Sequence, residues 1–311
     1  MRFPGGLAGC LFVALALLWP SAADARPRIA EIVDVNDRPG QITRGPGKTF
    51  WAVLENNELA RIRPSGDVTH FAPSELNFPK GITLGLDGNL WATQNAEVVR
   101  IPPADPENAE AFPIAEIATA NRITRGPQEK LWTASGDKLI SFDPSNPAGY
   151  DEQTIDDMSA RGIAAADGKV WIADFAGKRI VRVNPAGGVK FFKTGGGPQE
   201  VARGSGKLVG FTNQGANPHK IGRIDRNKVR QNKVPDTDPF GITLAAGNFW
   251  IANFTSRRLT VLPPKGKPRR ARGVRFPADA GARWIAAGAK GTLGVSLETA
   301  EQIALIKGVK R

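Results

Sequence analysis

Tryptophan recurs in this chain at nearly constant spacing: Trp51, Trp91, Trp132 and Trp171 are separated by 40, 41 and 39 residues. The next step, to Trp250, is 79 residues, two periods with one tryptophan absent, and the absent position reads as Val209. A period near 40 residues constrains the fold more than any other property of the sequence. A unit that short cannot bury its own apolar face and must stack on its neighbours.

The context of the tryptophans repeats as well. The clearest copy is Gly81-Ile82-Thr83-Leu84-Gly85-Leu86-Asp87-Gly88-Asn89-Leu90-Trp91. Others span 42–51, 123–132, 162–171, 201–209 and 241–250, and a degenerate seventh spans 285–294 with Gly294 in place of tryptophan. Trp284 falls out of phase, at the start of that last copy. Each copy reads as a short apolar strand, a turn and a second strand, and Asp87-Gly88 and Asp167-Gly168 are tight-hairpin residues. A third strand with period-2 alternation follows, as in Val98-Val99-Arg100-Ile101, and then a fourth, as in Val189-Lys190-Phe191-Phe192. Four antiparallel strands per repeat make one propeller blade. The seventh copy has room for three strands only, whereas residues 29–35 supply a spare apolar strand ahead of the first. The expectation is an all-β fold: a seven-bladed β-propeller of four-stranded antiparallel blades, closed by that N-terminal strand.

Residues 1–25 read as a signal peptide, with Arg2, an apolar run over 7–19 and the small-x-small site Ala23-Asp24-Ala25. That run is too short to span a bilayer, so no transmembrane segment is expected. Residues 26–311 then form a single domain, periplasmic or secreted, and expected to be a monomer. The chain has one cysteine, Cys10, and two histidines, His70 and His219, which excludes a disulfide scaffold and a multi-histidine metal centre. Net charge is +12, unevenly spread: residues 26–158 carry −7 and residues 159–311 carry +19. The densest basic run, 265–275, falls in the outer part of blade six and suits an anionic envelope polymer. No nucleic-acid partner is expected, because no aromatics interleave the run.

In a four-stranded blade the start of the first strand and the end of the second share one face of the ring, around the channel mouth. The polar residues there are Lys80, Asn121, Arg161, Gln199 and Arg283 at first-strand starts and Gln94 and Ser135 at second-strand ends. They predict a site for a small polar or anionic ligand. Asp174, Asn213, Asn253 and Glu298, from blades four to seven, are oxygen donors that could hold Mg²⁺ or Ca²⁺. That set resembles the metal centre of gluconolactonase-type propellers, which implies a metal-dependent lactonase or hydrolase. His219, in the loop after the second strand of blade five, is the candidate general base. His70 lies in an outer strand and reads as structural.

The copy Pro79-Lys80-Gly81-Ile82 through Trp91, with Lys220-Ile221-Gly222-Arg223-Ile224, resembles the repeat of virginiamycin B lyase (streptogramin lyase), over residues 40–306. The resemblance implies a seven-bladed propeller and Mg²⁺-assisted opening of a cyclic depsipeptide ester by elimination, with a histidine base and nearby carboxylates. It places that histidine just before Gly-Ile in a late blade. Here those positions hold Gln199, Phe240 and Arg283, none a base near neutral pH. Binding at the channel mouth is therefore the leading expectation, with a virginiamycin B lyase-type or lactonase reaction as the alternative.

Overall fold

The computed structural model describes residues 26–117 and 122–310. The signal-peptide reading and Asn121 lie outside these residues. The strands form seven four-stranded sheets, each antiparallel and, in six of them, in strict chain order. Blade one comprises Pro39–Arg44, Phe50–Leu54, Leu59–Ile62 and Val68–Phe71. Blades two to six begin with Gly81–Leu84, Ile123–Arg125, Ala160–Ala166, Glu200–Arg203 and Pro239–Ala245. Blade seven takes Ala282–Ala287, Leu293–Leu297 and Gln302–Lys307 from the end of the chain and its outer strand, Arg28–Asp34, from the beginning. First strands of successive blades touch one another around the ring, including blade seven against blade one. The fold is the expected seven-bladed propeller. Among the described residues no helix is long and apolar enough to cross a membrane.

The closing strand pairs Ile32 with Ala304 and Val33 with Ile303. It covers the apolar edge of Gln302–Lys307, which would otherwise invite pairing with another chain. The backbone N–H of Val35 donates to the carbonyl of Glu301 at 3.0 Å, so the pairing continues into the turn that leads to blade one.

Successive blades are joined by the periodic aromatics. Trp51 packs against Ile82 and Leu90 of blade two, Trp91 against Ile123 and Leu131 of blade three, and Trp132 against Ile163 and Val170 of blade four. Trp171 meets Val201 and Val209 of blade five, and Trp250 meets Ile285 and Leu293 of blade seven. All five are buried. Their indole N–H groups are satisfied locally; those of Trp171 and Trp250 donate to the carbonyls of Ala166 and Ala245.

The register corrects one position. Trp91 pairs across its blade with Thr83 and Arg100, and Trp171 with Ala164 and Arg182. The residue of blade five paired in the same way, with Ala202 and Arg223, is Gly210 and not Val209. The residue matching Gln94 is accordingly Asn213. Val209 is an inward apolar residue like Leu90, and sequence spacing alone could not separate neighbours one residue apart.

The two blades with glycine at the tryptophan position, five and seven, share a compensation. A Cβ on Gly210 would lie 2.6 Å from the ring of Phe249, and one on Gly294 would lie 2.8 Å from Ile42 and 2.9 Å from the ring of Phe50. Phe249 and Phe50 immediately precede Trp250 and Trp51 in the following blades, where Leu90, Leu131 and Val170 stand in the others. The aromatic that fills each of these interfaces thus comes from the next blade. Truncating Phe249 to Ala removes that wedge, and an expected loss of about 3–5 kcal/mol is measurable by urea unfolding. Gly210→Ala forces a methyl group against the ring and should cost about 1–3 kcal/mol in the wild-type background. It should cost markedly less beside Phe249→Leu, where the space has opened.

Candidate functional site

The channel mouth is built by the starts of the first strands. In blades four and six a glycine after the strand start lets the next blade approach closely: a Cβ on Gly162 would meet the Glu200 backbone at 2.7 Å, and one on Gly241 the Arg283 carbonyl at 2.5 Å. The resulting cavity, of about 270 Å³, is lined by Gly40, Lys80, Arg161, Gln199, Phe240 and Arg283 from blades one, two, four, five, six and seven. Arg122 of blade three, Trp284, Glu55 and Glu298 complete its wall. The structure therefore brings together Lys80, Arg161, Gln199 and Arg283 of the sequence-predicted ligand set.

Below the mouth, Arg122 crosses the channel. Its Nε donates to Glu200 of blade five at 2.9 Å, its Nη1 reaches the carbonyl of Lys80 at 3.4 Å, and its guanidinium stacks 3.5 Å from the centre of the Trp284 ring. Glu200 is buried, and the Arg122 side chain is 12% exposed. Burial pushes the Glu200 carboxyl above its ordinary value, and Arg122 opposes that rise. Burial likewise pulls Arg122 below its ordinary value, against the pull of Glu200. An arginine so placed remains a cation.

On the opposite wall Arg283 grips Glu298 through both carboxylate oxygens at 2.7 Å, and Arg38 adds a third bond at 3.2 Å. The Arg283 guanidinium also lies 4.4 Å from the Phe240 ring centre, and Phe240 meets Trp284 edge-on at 4.8 Å. Arg283 Nε is buried and has no protein acceptor among the described residues. Lys80 and Arg161 are exposed at the mouth and, among the described residues, belong to none of the ion pairs there. Positive charge consequently exceeds negative charge in a cavity walled by two aromatic rings.

The second-strand ends of blades two to six do not line this cavity. Asp174 accepts from the backbone N–H groups of Ser159 and Gly177 at 2.9 and 3.0 Å and from Arg179 Nε at 2.6 Å. Gln94 accepts from Asn77 N–H and donates to the Glu75 carbonyl. Asn213 donates to the Thr194 carbonyl and to Gln231, and Asn253 to the Arg258 carbonyl and Thr260. Ser135 is buried at the matching position in blade three. In blades two, four and five these side chains hold the link from the preceding blade, Asp174 also holds the turn after the second strand, and Asn253 ties the corresponding turn of blade six to its own third strand. Of the four oxygen donors expected to hold Mg²⁺ or Ca²⁺, Asp174 and Glu298 are paired with Arg179 and Arg283, and the side-chain oxygens of Asn213 and Asn253 are buried without a hydrogen-bond partner among the described residues. Among the described residues no group of three His, Cys, Asp or Glu side chains is placed to hold a metal.

His219 lies outside the mouth. Its Nδ1 accepts from the backbone N–H of Asp238 at 3.0 Å, so it links the loop of blade five to the approach to blade six. His70 faces Glu58 at 3.2 Å within blade one. Sequence reasoning missed Arg122, Glu200, Trp284 and Arg38. Three of these are the immediate neighbours of Asn121, Gln199 and Arg283, one residue along from the aligned positions. The signal that could have found Trp284 was its phase: a tryptophan out of step with the interface series lines the axis instead.

No protein-family model matches the chain, and no curated protein matches it in sequence. Among solved structures it resembles a streptogramin B lyase, at 16% identity and TM-score 0.78, covering 89% of this chain and 96% of that one. It resembles equally the virginiamycin B lyase of Staphylococcus aureus, at 18% identity and TM-score 0.78, covering 91% of this chain and 99% of that one. A catalytically inactive histidine-to-alanine form of that lyase with quinupristin gives 17% identity, TM-score 0.76 and the same coverage. The chain has the propeller fold of the streptogramin lyases. Likeness at this identity defines the fold and leaves the chemistry to the site.

Replacing Arg122 by Met leaves Glu200 buried without its counter-charge. The expected loss at neutral pH is about 3–5 kcal/mol. The Glu200 carboxyl binds its proton more tightly folded than unfolded, so stability is lost as pH rises from the ordinary carboxylate range through the raised folded value. The deficit of Arg122→Met should therefore shrink on acidification, as read by urea midpoints at pH 7 and pH 5.

Proposed function

We propose that this chain is an exported propeller that binds a small organic anion at the channel mouth and does not act as a streptogramin lyase. The observation that carries the reading is the charge balance of the cavity. Among the described residues Lys80 and Arg161 line the cavity in no ion pair, beside the guanidinium groups of Arg122 and Arg283, which are held by Glu200 and Glu298. A carboxylate or phosphate would accept charge-assisted hydrogen bonds from Lys80 and Arg161. Export is supported by the pattern of residues 1–25.

The lyase reading needs a base to remove a proton beside a carbonyl. At the mouth the carboxylates of Glu200 and Glu298 are held by Arg122 and Arg283, and His219 faces Asp238 elsewhere. The residues present do not fit a catalytic Mg²⁺ either, and no step through a metal is derived.

Calorimetric titration of the protein with benzoate, citrate and phosphate, with choline as the cationic control, tests the proposal. At least one anion should bind saturably and choline should not. Each of Lys80→Ala and Arg161→Ala should weaken that binding by about tenfold, the scale of one charge-assisted hydrogen bond. Incubation with quinupristin and Mg²⁺ should leave the ring intact by mass spectrometry. Absence of anion binding, or ring opening at a steady rate, would refute the reading.

A further inference from the structure

The basic run is not a loose tail of charge. Over 269–276, Ala271, Val274 and Phe276 are buried in the core shared by blades six and seven, whereas Arg269, Arg270, Arg272 and Arg275 are exposed. The backbone N–H groups of Ala271 and Phe276 donate to the carbonyls of Leu259 and Arg257, each at 2.8 Å. Arg270 is fixed on Asp236 at 2.9 Å and on the Pro235 carbonyl at 2.7 Å. The chain thus spends three buried anchors on holding guanidinium groups outward in an ordered array. Like charges so arranged repel one another, and the array gains stability when an opposite charge covers it.

The array edges a groove. The outer strand of blade six has only two residues, Arg269–Arg270, where the other blades have four to nine. The shortfall opens a groove of about 770 Å³ between blade six and the terminal segments of the chain. Arg258, Arg269, Arg270, Arg272 and Lys310 line it, and none of its lining residues is acidic. Among the described residues, Arg258, Arg269, Arg272 and Lys310 make no ion pair.

We propose that this groove binds a linear, phosphate-bearing polyanion, at a site separate from the channel mouth. Three features select that class. The cations are contributed by several segments along an open groove, which suits a chain better than a single small ion. A concave surface suits a chain better than the plane of a membrane. All but one of these cations are arginines, whose planar fork matches phosphate oxygens two at a time. Trp250, the aromatic in the groove wall, is buried at 3% exposure and offers no face for stacking a base, which separates this polyanion from single-stranded nucleic acid.

The test is a fluorescence-anisotropy titration of the intact protein with end-labelled linear polyphosphate at several salt concentrations. Wild type should bind, with affinity falling steeply as salt rises. The double variant Arg269→Glu with Arg272→Glu, both surface positions, should bind at least about tenfold more weakly with a shallower salt dependence. Lys190→Glu with Lys193→Glu, an equal charge reversal on the exposed outer strand of blade four, should leave affinity unchanged, as should Arg161→Ala at the channel mouth. The proposal is overturned by absence of polyphosphate binding or by equal weakening in the blade-four variant, which would mean bulk charge alone. It is likewise overturned by tighter binding to phosphatidylglycerol vesicles or to single-stranded DNA than to polyphosphate. Loss of polyphosphate binding in Arg161→Ala would place the polymer at the mouth instead.

Discussion

The antiparallel pairing of Arg28–Asp34 with Gln302–Lys307 joins the first and last strands of the chain in one sheet, and the geometry at the axis depends on it. Arg38 follows the closing strand by a few residues and reaches Glu298, so one wall of the cavity is assembled from the two ends of the molecule. Without closure, blade one would have no fixed relation to blade seven, and Gly40, Glu55 and Arg283 would share no cavity. The closure is long-range and costly in chain entropy, and it is offset only once the interfaces between all seven blades have formed. This chain builds those interfaces from its cores alone, since the described residues contain no cysteine.

Within that ring the interior charges trade stability for a defined arrangement. Arg122 and Glu200 are both desolvated, and their attraction must offset two burial penalties. What the pair provides is geometry: a cation from blade three, an anion from blade five and an aromatic face from blade seven meet at one point. The same logic holds Arg283 between Glu298 and Phe240. Groups already held by such bonds are poorly available for proton transfer, which is the physical reason for proposing a binding role at the mouth.

The uneven charge of the two halves has a structural counterpart. The acidic half supplies partners for many of its own cations, as in Arg100 with Glu110 and Lys138 with Glu152. The basic half lacks enough carboxylates to do so. Its surplus is concentrated where blade six is thinnest, on a segment whose apolar residues are anchored beneath the arginines.

Blade number, strand order and closure were legible from residue spacing, because a tryptophan every 40 residues and alternating apolar strands are local patterns that survive without any knowledge of neighbours. Most of the mouth was legible too: Lys80, Arg161, Gln199 and Arg283 align at strand starts and do converge. The second-strand ends were harder to read, because polarity in a sequence does not distinguish a side chain that faces the cavity, as Glu298 does, from one that holds a turn or an interblade link, as Asp174 and Asn213 do. The repeat, the ring and the sign of its charge follow from the order of the residues alone. That Arg122, Glu200 and Trp284 meet across the channel follows from how the blades pack. The first strands of blades one, four, six and seven shift register near their starts. A shift of one residue changes which side chain faces the axis, and that choice is made by packing among blades rather than by any local pattern.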